Sequence, residues 1–213
     1  MKPASSVGEL ESKVVRPYFN SMKNVILICA LSSITLLTLG STGCMHSEYD
    51  QFKLVPKVDL EKYMGRWYVL AHSPNRIENE AYNSVEHYAL REDGDVDITF
   101  TYREGGFDGE EEVITQHGYV IDRDSNAEWR VSPFWPLKLP FLVIGLEAEE
   151  YRYTVIAGPN RDWLWIMARD TQLPAEDWKE IETLVRDQAF DFDGLRRVPH
   201  RWPTASTNEA TSN

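Results

Sequence analysis

Beyond Gly65 the chain falls into short runs of alternating apolar and polar residues, separated by turn-forming clusters. Runs at 66–72, 84–91, 96–102, 113–122, 128–132, 141–147, 152–157 and 162–169 have strand length and composition. Glu92-Asp93-Gly94-Asp95 and Gly158-Pro159-Asn160-Arg161-Asp162 between runs have hairpin chemistry. Eight strands joined by short turns predict an all-β, antiparallel up-and-down barrel, because a parallel sheet needs a long crossover between each pair. One helix is predicted after the last strand. Pro174 suits its first position, Glu176 and Asp177 its first turn, and Gly194 lies beyond its end. Trp178, Ile181, Leu184 and Val185 recur at helical spacing and form one apolar stripe. The last strand, Trp163-Leu164-Trp165-Ile166-Met167-Ala168, is apolar on both faces. That pattern predicts Trp163, Trp165 and Met167 inside the barrel, with Leu164, Ile166 and Ala168 under the helix stripe.

The first third of the chain follows different rules. Val25 to Leu39 is a run dominated by Ile, Leu, Val and Ala, preceded by Lys23 and followed by Gly40-Ser41-Thr42-Gly43, the layout of a secretory signal. It is too short to span a bilayer comfortably, and Met22 makes a compact start for it. Thr42-Gly43-Cys44 resembles the lipobox of bacterial lipoproteins, with Ser41 where that pattern usually carries Leu. The resemblance implies that Cys44 is acylated and becomes the mature N-terminus. The other reading is an ordinary cleavage site that happens to lie near a cysteine. The expected organisation is a leader and signal at 1–43, a lipidated tether at 44–57, a barrel with its helix at 58–198 and a disordered tail at 199–213.

Three blocks carry a second resemblance. Gly65-Arg66-Trp67-Tyr68-Val69-Leu70-Ala71-His72-Ser73-Pro74-Asn75-Arg76, Tyr88-Ala89-Leu90-Arg91-Glu92-Asp93-Gly94 and the stretch from Glu150 to Arg169 resemble the lipocalins, in particular their bacterial outer-membrane lipoprotein branch. The resemblance implies that Gly65, Trp67 and Arg169 are structural, Trp67 plugging the closed end of the barrel and Arg169 stacking across it. It also implies a lumen for a small apolar molecule. Strand alternation anchored on Trp67 then places a wall of Val69, Ala71, Tyr88, Leu90, Val96, Ile98, Phe100, Tyr102, His117, Tyr119, Trp129, Val131, Tyr153, Val155, Trp163, Trp165 and Met167. The alternative is that these side chains fill the barrel solid. Glu86 faces inward in this register, and a slip of one residue would turn it to solvent. Phe134 and Trp135, in the proline-rich loop 132–140, are placed to touch a membrane or an incoming lipid, or else to pack on the barrel.

Composition narrows the function. The chain of 213 residues carries a formal net charge of -12, and no Lys/Arg cluster suited to phosphates is visible, so no nucleic-acid partner is expected. The two cysteines are Cys29 and Cys44, so a cleaved and acylated chain would keep no free thiol. No nucleophile elbow, zinc-protease motif or phosphate loop occurs, and the five histidines lack metal-ligand spacing. The expectation is a non-enzymatic carrier without cofactor or metal, binding a fatty acid or lysophospholipid. It would be held at the bacterial outer membrane, facing the periplasm, by an N-terminal lipid anchor, with a homodimer also possible. Two alternatives stay open: a lipid-modifying enzyme with Glu86 and His117 as the acid/base pair, and a structural lipoprotein with a filled barrel.

Overall fold

The computed structural model describes residues 49, 51–75 and 78–202. The signal segment and Cys44 lie outside them. The strands are β1 (Gly65–His72), β2 (Ala81–Leu90), β3 (Val96–Glu104), β4 (Glu111–Val120), β5 (Glu128–Ser132), β6 (Leu139–Leu146), β7 (Tyr153–Ala157) and β8 (Leu164–Ala168). Each pairs antiparallel with its successor, and β8 returns to pair with β1, closing the eight-stranded barrel. Closure removes the exposed edges that an open sheet would present.

Two helices serve the barrel. The short α1 (Leu60–Tyr63) precedes β1 and is capped by Asp59, whose carboxylate accepts from the amides of Glu61 and Lys62. The sequence predicts only a turn there. The longer α2 (Ala175–Asp187) starts one residue later than predicted, with Pro174 as its cap position. It lies along the outside of the barrel. Ile181 and Val185 are buried, and Trp178 and Leu184 pack beside them, over Leu142, Ile144, Val155, Leu164 and Ile166. Asp177 in the first turn of α2 is buried and receives both Nε (3.1 Å) and Nη2 (2.9 Å) of Arg152. This two-pronged pair fixes the rotation of the helix on the wall.

The barrel domain is longer at both ends than expected. Phe52, assigned to the tether, is buried and stacks on Phe190 at 5.6 Å, and the Val55 amide donates to the Val143 carbonyl. At the other end, a two-residue strand β9 (Arg196–Arg197) pairs with Ala71 and His72. Residues 199–202, assigned to the tail, continue over the barrel. Asn83 bonds Pro199 and Arg201, and His200 Nε2–H donates to the Val69 carbonyl at 2.9 Å. Here β1 has already separated from β2, and the C-terminal segment satisfies the backbone groups that the split leaves open. The rest of the tail lies outside the described residues.

Candidate functional site

The barrel interior has a filled lower half. Trp67 is fully buried, and its Nε1–H donates to the Tyr63 carbonyl at 2.8 Å. Arg169 lies beneath it, guanidinium carbon 3.8 Å from the ring centroid, and donates to the carbonyls of Arg66 and Lys62 at 2.7 and 2.6 Å. Gly65 adopts φ +92°, a conformation that favours glycine, at the point where the chain leaves α1 for β1 beside that guanidinium. Above this floor, Tyr63, Tyr88, Trp129 and Phe141 form an aromatic cluster with ring centroids 4.9 to 6.1 Å apart.

Away from this floor the inward side chains are less completely enclosed. Ile114, Gln116, Val131, Trp165 and Glu86 all face inward, yet each keeps part of its surface accessible. The loops around this mouth carry Phe134, Trp135, Leu137 and Trp163 exposed, Trp135 most of all at 87%. Val69, Val96, Ile98, Phe100, Tyr102 and Met167 complete the inner wall, all buried in the interior cluster.

Several expected wall residues lie elsewhere. In β4 the inward positions are Ile114, Gln116, Gly118 and Val120, because Val96 pairs with Gly118 and Ile98 with Gln116. His117 and Tyr119 therefore point outward, His117 bonding Asp95 at 3.1 Å and Tyr119 lying under the Lys138 ammonium. Gly118 decides this register: a Cβ there would come within 3.1 Å of Ile98 and 3.5 Å of Trp129. In β7, Tyr153 and Val155 lie under α2, Tyr153 donating its hydroxyl to Glu180, while Thr154 and Ile156 face in. Every residue of β7 is buried, so its alternation carries no mark of direction. A bulge at Leu70 turns Ala71 outward and brings His72 in, opposite Trp165. Trp163 stands in the β7–β8 turn at the rim, 37% exposed, and Leu90 is exposed at the end of β2.

Glu86 faces inward, opposite Trp67 on β1 and Phe100 on β3. The Tyr88 hydroxyl donates to its Oε2. Burial, with a smaller contribution from Glu78, pushes its carboxyl up to about 8. Toward the mouth lie polar groups that alternation did not single out. Ser84 Oγ and His72 Nε2 are buried without a hydrogen-bond partner among the described residues. His72 Nδ1 approaches Glu78 at 3.7 Å, and Glu78 accepts from Trp165 Nε1 at 2.9 Å. The acid/base pair of the enzymatic alternative is not assembled, because Glu86 and His117 lie on opposite faces of the barrel wall. Among the described residues no group of three His, Cys, Asp or Glu side chains is placed to hold a metal ion.

This geometry has relatives. Residues 58–200 match the model of the lipocalin-like domain. The outer membrane lipoprotein Blc of Escherichia coli K12 is 28% identical over 141 residues, covering 65% of this chain and 77% of that protein. Temperature-induced lipocalin-1 of Arabidopsis thaliana is 26% identical over 176 residues, covering 77% of this chain and 91% of the plant protein. Among solved structures, the cockroach allergen Per a 4 superposes with a TM-score of 0.54 at 17% identity, over 71% of this chain and 97% of the allergen. Lobster apocrustacyanin A1 gives the same TM-score at 16% identity, over 67% and 79%. These two likenesses speak to the fold alone. The family match spans most of the chain and coincides with the closed barrel, its floor and its outer helix, and by it the protein belongs to the lipocalin family.

Proposed function

We propose that the protein carries a single-chain amphipathic lipid, a fatty acid or a lysophospholipid, in the upper half of its barrel. The observation that carries this reading is an apolar inner wall of Val69, Ile98, Phe100, Tyr102 and Met167, beside which Ile114, Val131 and Trp165 keep part of their surface accessible. Such a wall is apolar and concave, as a lipid pocket requires. The exposed Phe134, Trp135 and Trp163 at the rim give an incoming chain an apolar path. Carriage rather than catalysis is favoured by the outward placement of His117, which leaves Glu86 without the proposed partner. We further propose that acyl chains on Cys44 hold the barrel at the outer membrane. The order of signal, Cys44 and barrel supports this, as does similarity to relatives named as outer membrane lipoproteins.

Titration of the delipidated protein with palmitate or lysophosphatidylcholine, followed by tryptophan fluorescence, tests the carrier reading. Apolar burial at about 25 cal/mol per Å² leaves room for micromolar affinity after ordering costs. Saturable quenching through Trp165 is expected. Absence of saturable binding by either lipid overturns the reading in favour of a structural lipoprotein.

A further inference from the structure

Among the inward residues only one carboxyl stands in the middle of the wall, and its surroundings are incomplete. Glu86 sits between Trp67 and Phe100, with Oε2 taken by the Tyr88 hydroxyl and Oε1 given no partner among the described residues. The residue is only partly buried, which leaves Oε1 able to meet a ligand. One inward position nearer the mouth on the same strand, Ser84 is 1% exposed, and its hydroxyl has no partner among the described residues. On the neighbouring β1, the Leu70 bulge turns His72 to the inner face, fully buried with Nε2 unpartnered among the described residues. Buried polar atoms are nearly always satisfied, and each exception is costly. Two such exceptions and a half-satisfied carboxyl on one wall mark a place where a ligand completes the hydrogen bonding.

We propose that Glu86, with Ser84 and His72 above it, receives an uncharged oxygen of the carried lipid, a hydroxyl or carbonyl buried head-down in the barrel. The proposal rests on the carrier reading and specifies which end of the lipid enters.

The charge around the site selects a neutral oxygen. Glu78 faces it from the β1–β2 loop, Tyr63 from α1, Tyr88 from its own strand and His72 from β1. Across the lumen, Thr154, Ile156, Trp165 and Met167 bring no charge, and Ile114 and Gln116 on β4 bring none. Among the described residues, Arg169 beneath the floor is committed to the carbonyls of Arg66 and Lys62, and Arg196 to the Ala81 carbonyl. Glu86 forms no ion pair among the described residues. An ionised carboxylate entering here would meet Glu86 and Glu78 with no counter-ion among the described residues, which is costly in a buried site. A protonated Glu86 instead donates from Oε1 to a hydroxyl or carbonyl. A fatty acid that enters head-down must therefore take up a proton.

A matched pair of fluorescent probes, cis-parinaryl alcohol and cis-parinaric acid, tests this on the delipidated full chain. The alcohol should bind about tenfold more tightly than the acid near pH 7, a difference of about 1.4 kcal/mol. Raising the pH from about 6 to about 9 ionises Glu86 and should weaken the alcohol by a similar factor. Glu86→Gln keeps the shape and a donor, so it should retain alcohol binding and lose that pH dependence. Glu86→Ala should bind both probes with equal affinity. Equal affinities in the wild type, or a preference that survives both substitutions unchanged, overturn the head-group assignment while leaving the carrier intact. If neither probe binds, the assignment and the carrier reading fall together.

Discussion

Arg169 lies flat beneath Trp67, 3.8 Å from guanidinium carbon to ring centroid, although the two residues are 102 positions apart. The contact joins the first strand to the end of the last. It also ties in α1, because Arg169 donates to the Lys62 and Tyr63 carbonyls while Trp67 donates to Tyr63. Burial at the floor lowers the Arg169 pKa from its ordinary value, and the guanidinium remains charged for the stack. The closed end of the barrel is thus held by one aromatic ring, one cation and three backbone oxygens.

Removing either member should destabilise the fold unequally. Trp67→Ala empties the largest side chain from a fully buried site and should cost about 3–5 kcal/mol. Arg169→Ala should cost about 1–3 kcal/mol through the lost stack and charge-assisted bonds. Arg169→Lys should recover little of this, since an ammonium cannot serve the Arg66 and Lys62 carbonyls as a planar fork. Denaturant midpoints measure all three, and midpoints that do not move would contradict the floor geometry.

Adjacent residues of β8 should separate stability from binding. Leu164 is fully buried beneath α2, so Leu164→Ala should lower stability by about 2–5 kcal/mol with affinity little changed. Trp165 looks into the lumen and keeps part of its surface accessible. Trp165→Ala should weaken lipid binding and remove most of the fluorescence quenching, while the unfolding midpoint shifts less than for Leu164→Ala. The reverse ranking would mean that the strand is turned over.

Stability should depend on pH through Glu86. Its carboxyl is raised from 4.5 to about 8 by burial, so between those values the folded chain holds a proton that the unfolded chain has released. Stability contributed by that proton is complete below about pH 4.5 and is lost as the pH climbs toward 8. Glu86→Gln removes the titration and should stabilise the barrel at about pH 8, by on the order of 2–4 kcal/mol, with little gain at about pH 4. Chemical denaturation of both proteins across this range measures it. A wild type whose stability rises through the same window would show that Glu86 is ionised in the fold.

Acylation should depend on Cys44 alone. Labelled palmitate is expected to enter the wild-type chain in a bacterial host and to be absent from Cys44→Ala, with Cys29→Ala still labelled. Fractionation should then find the wild type with the outer membrane and Cys44→Ala in the soluble envelope fraction. Label retained by Cys44→Ala, or none in either protein, would refute the anchor.

Much of the architecture was legible in the residue pattern because it follows from short-range rules. Alternation and turn chemistry located eight strands, helical spacing located the stripe of α2, and a last strand apolar on both faces foretold a helix on one side and a lumen on the other. Trp67 and Arg169 stood out in the resemblance and meet in the fold. What alternation cannot report is the direction of a strand whose two faces look alike, or a shift that breaks the count. In β7 all five residues are buried, so nothing local distinguished Thr154 and Ile156 inside from Tyr153 and Val155 outside. In β4 alternation carried over from the resemblance placed His117 and Tyr119 inward, whereas the packing of Trp129 and Ile98 against Gly118 turns them out. The Leu70 bulge that brings His72 inside exists because β1 must leave β2 and pair with β8 and β9. The sequence by itself determined a closed barrel with a plugged floor and an outer helix. Only the tertiary structure decided which side chains face the lumen, because inside and outside are set by register between distant strands rather than by any residue's own chemistry.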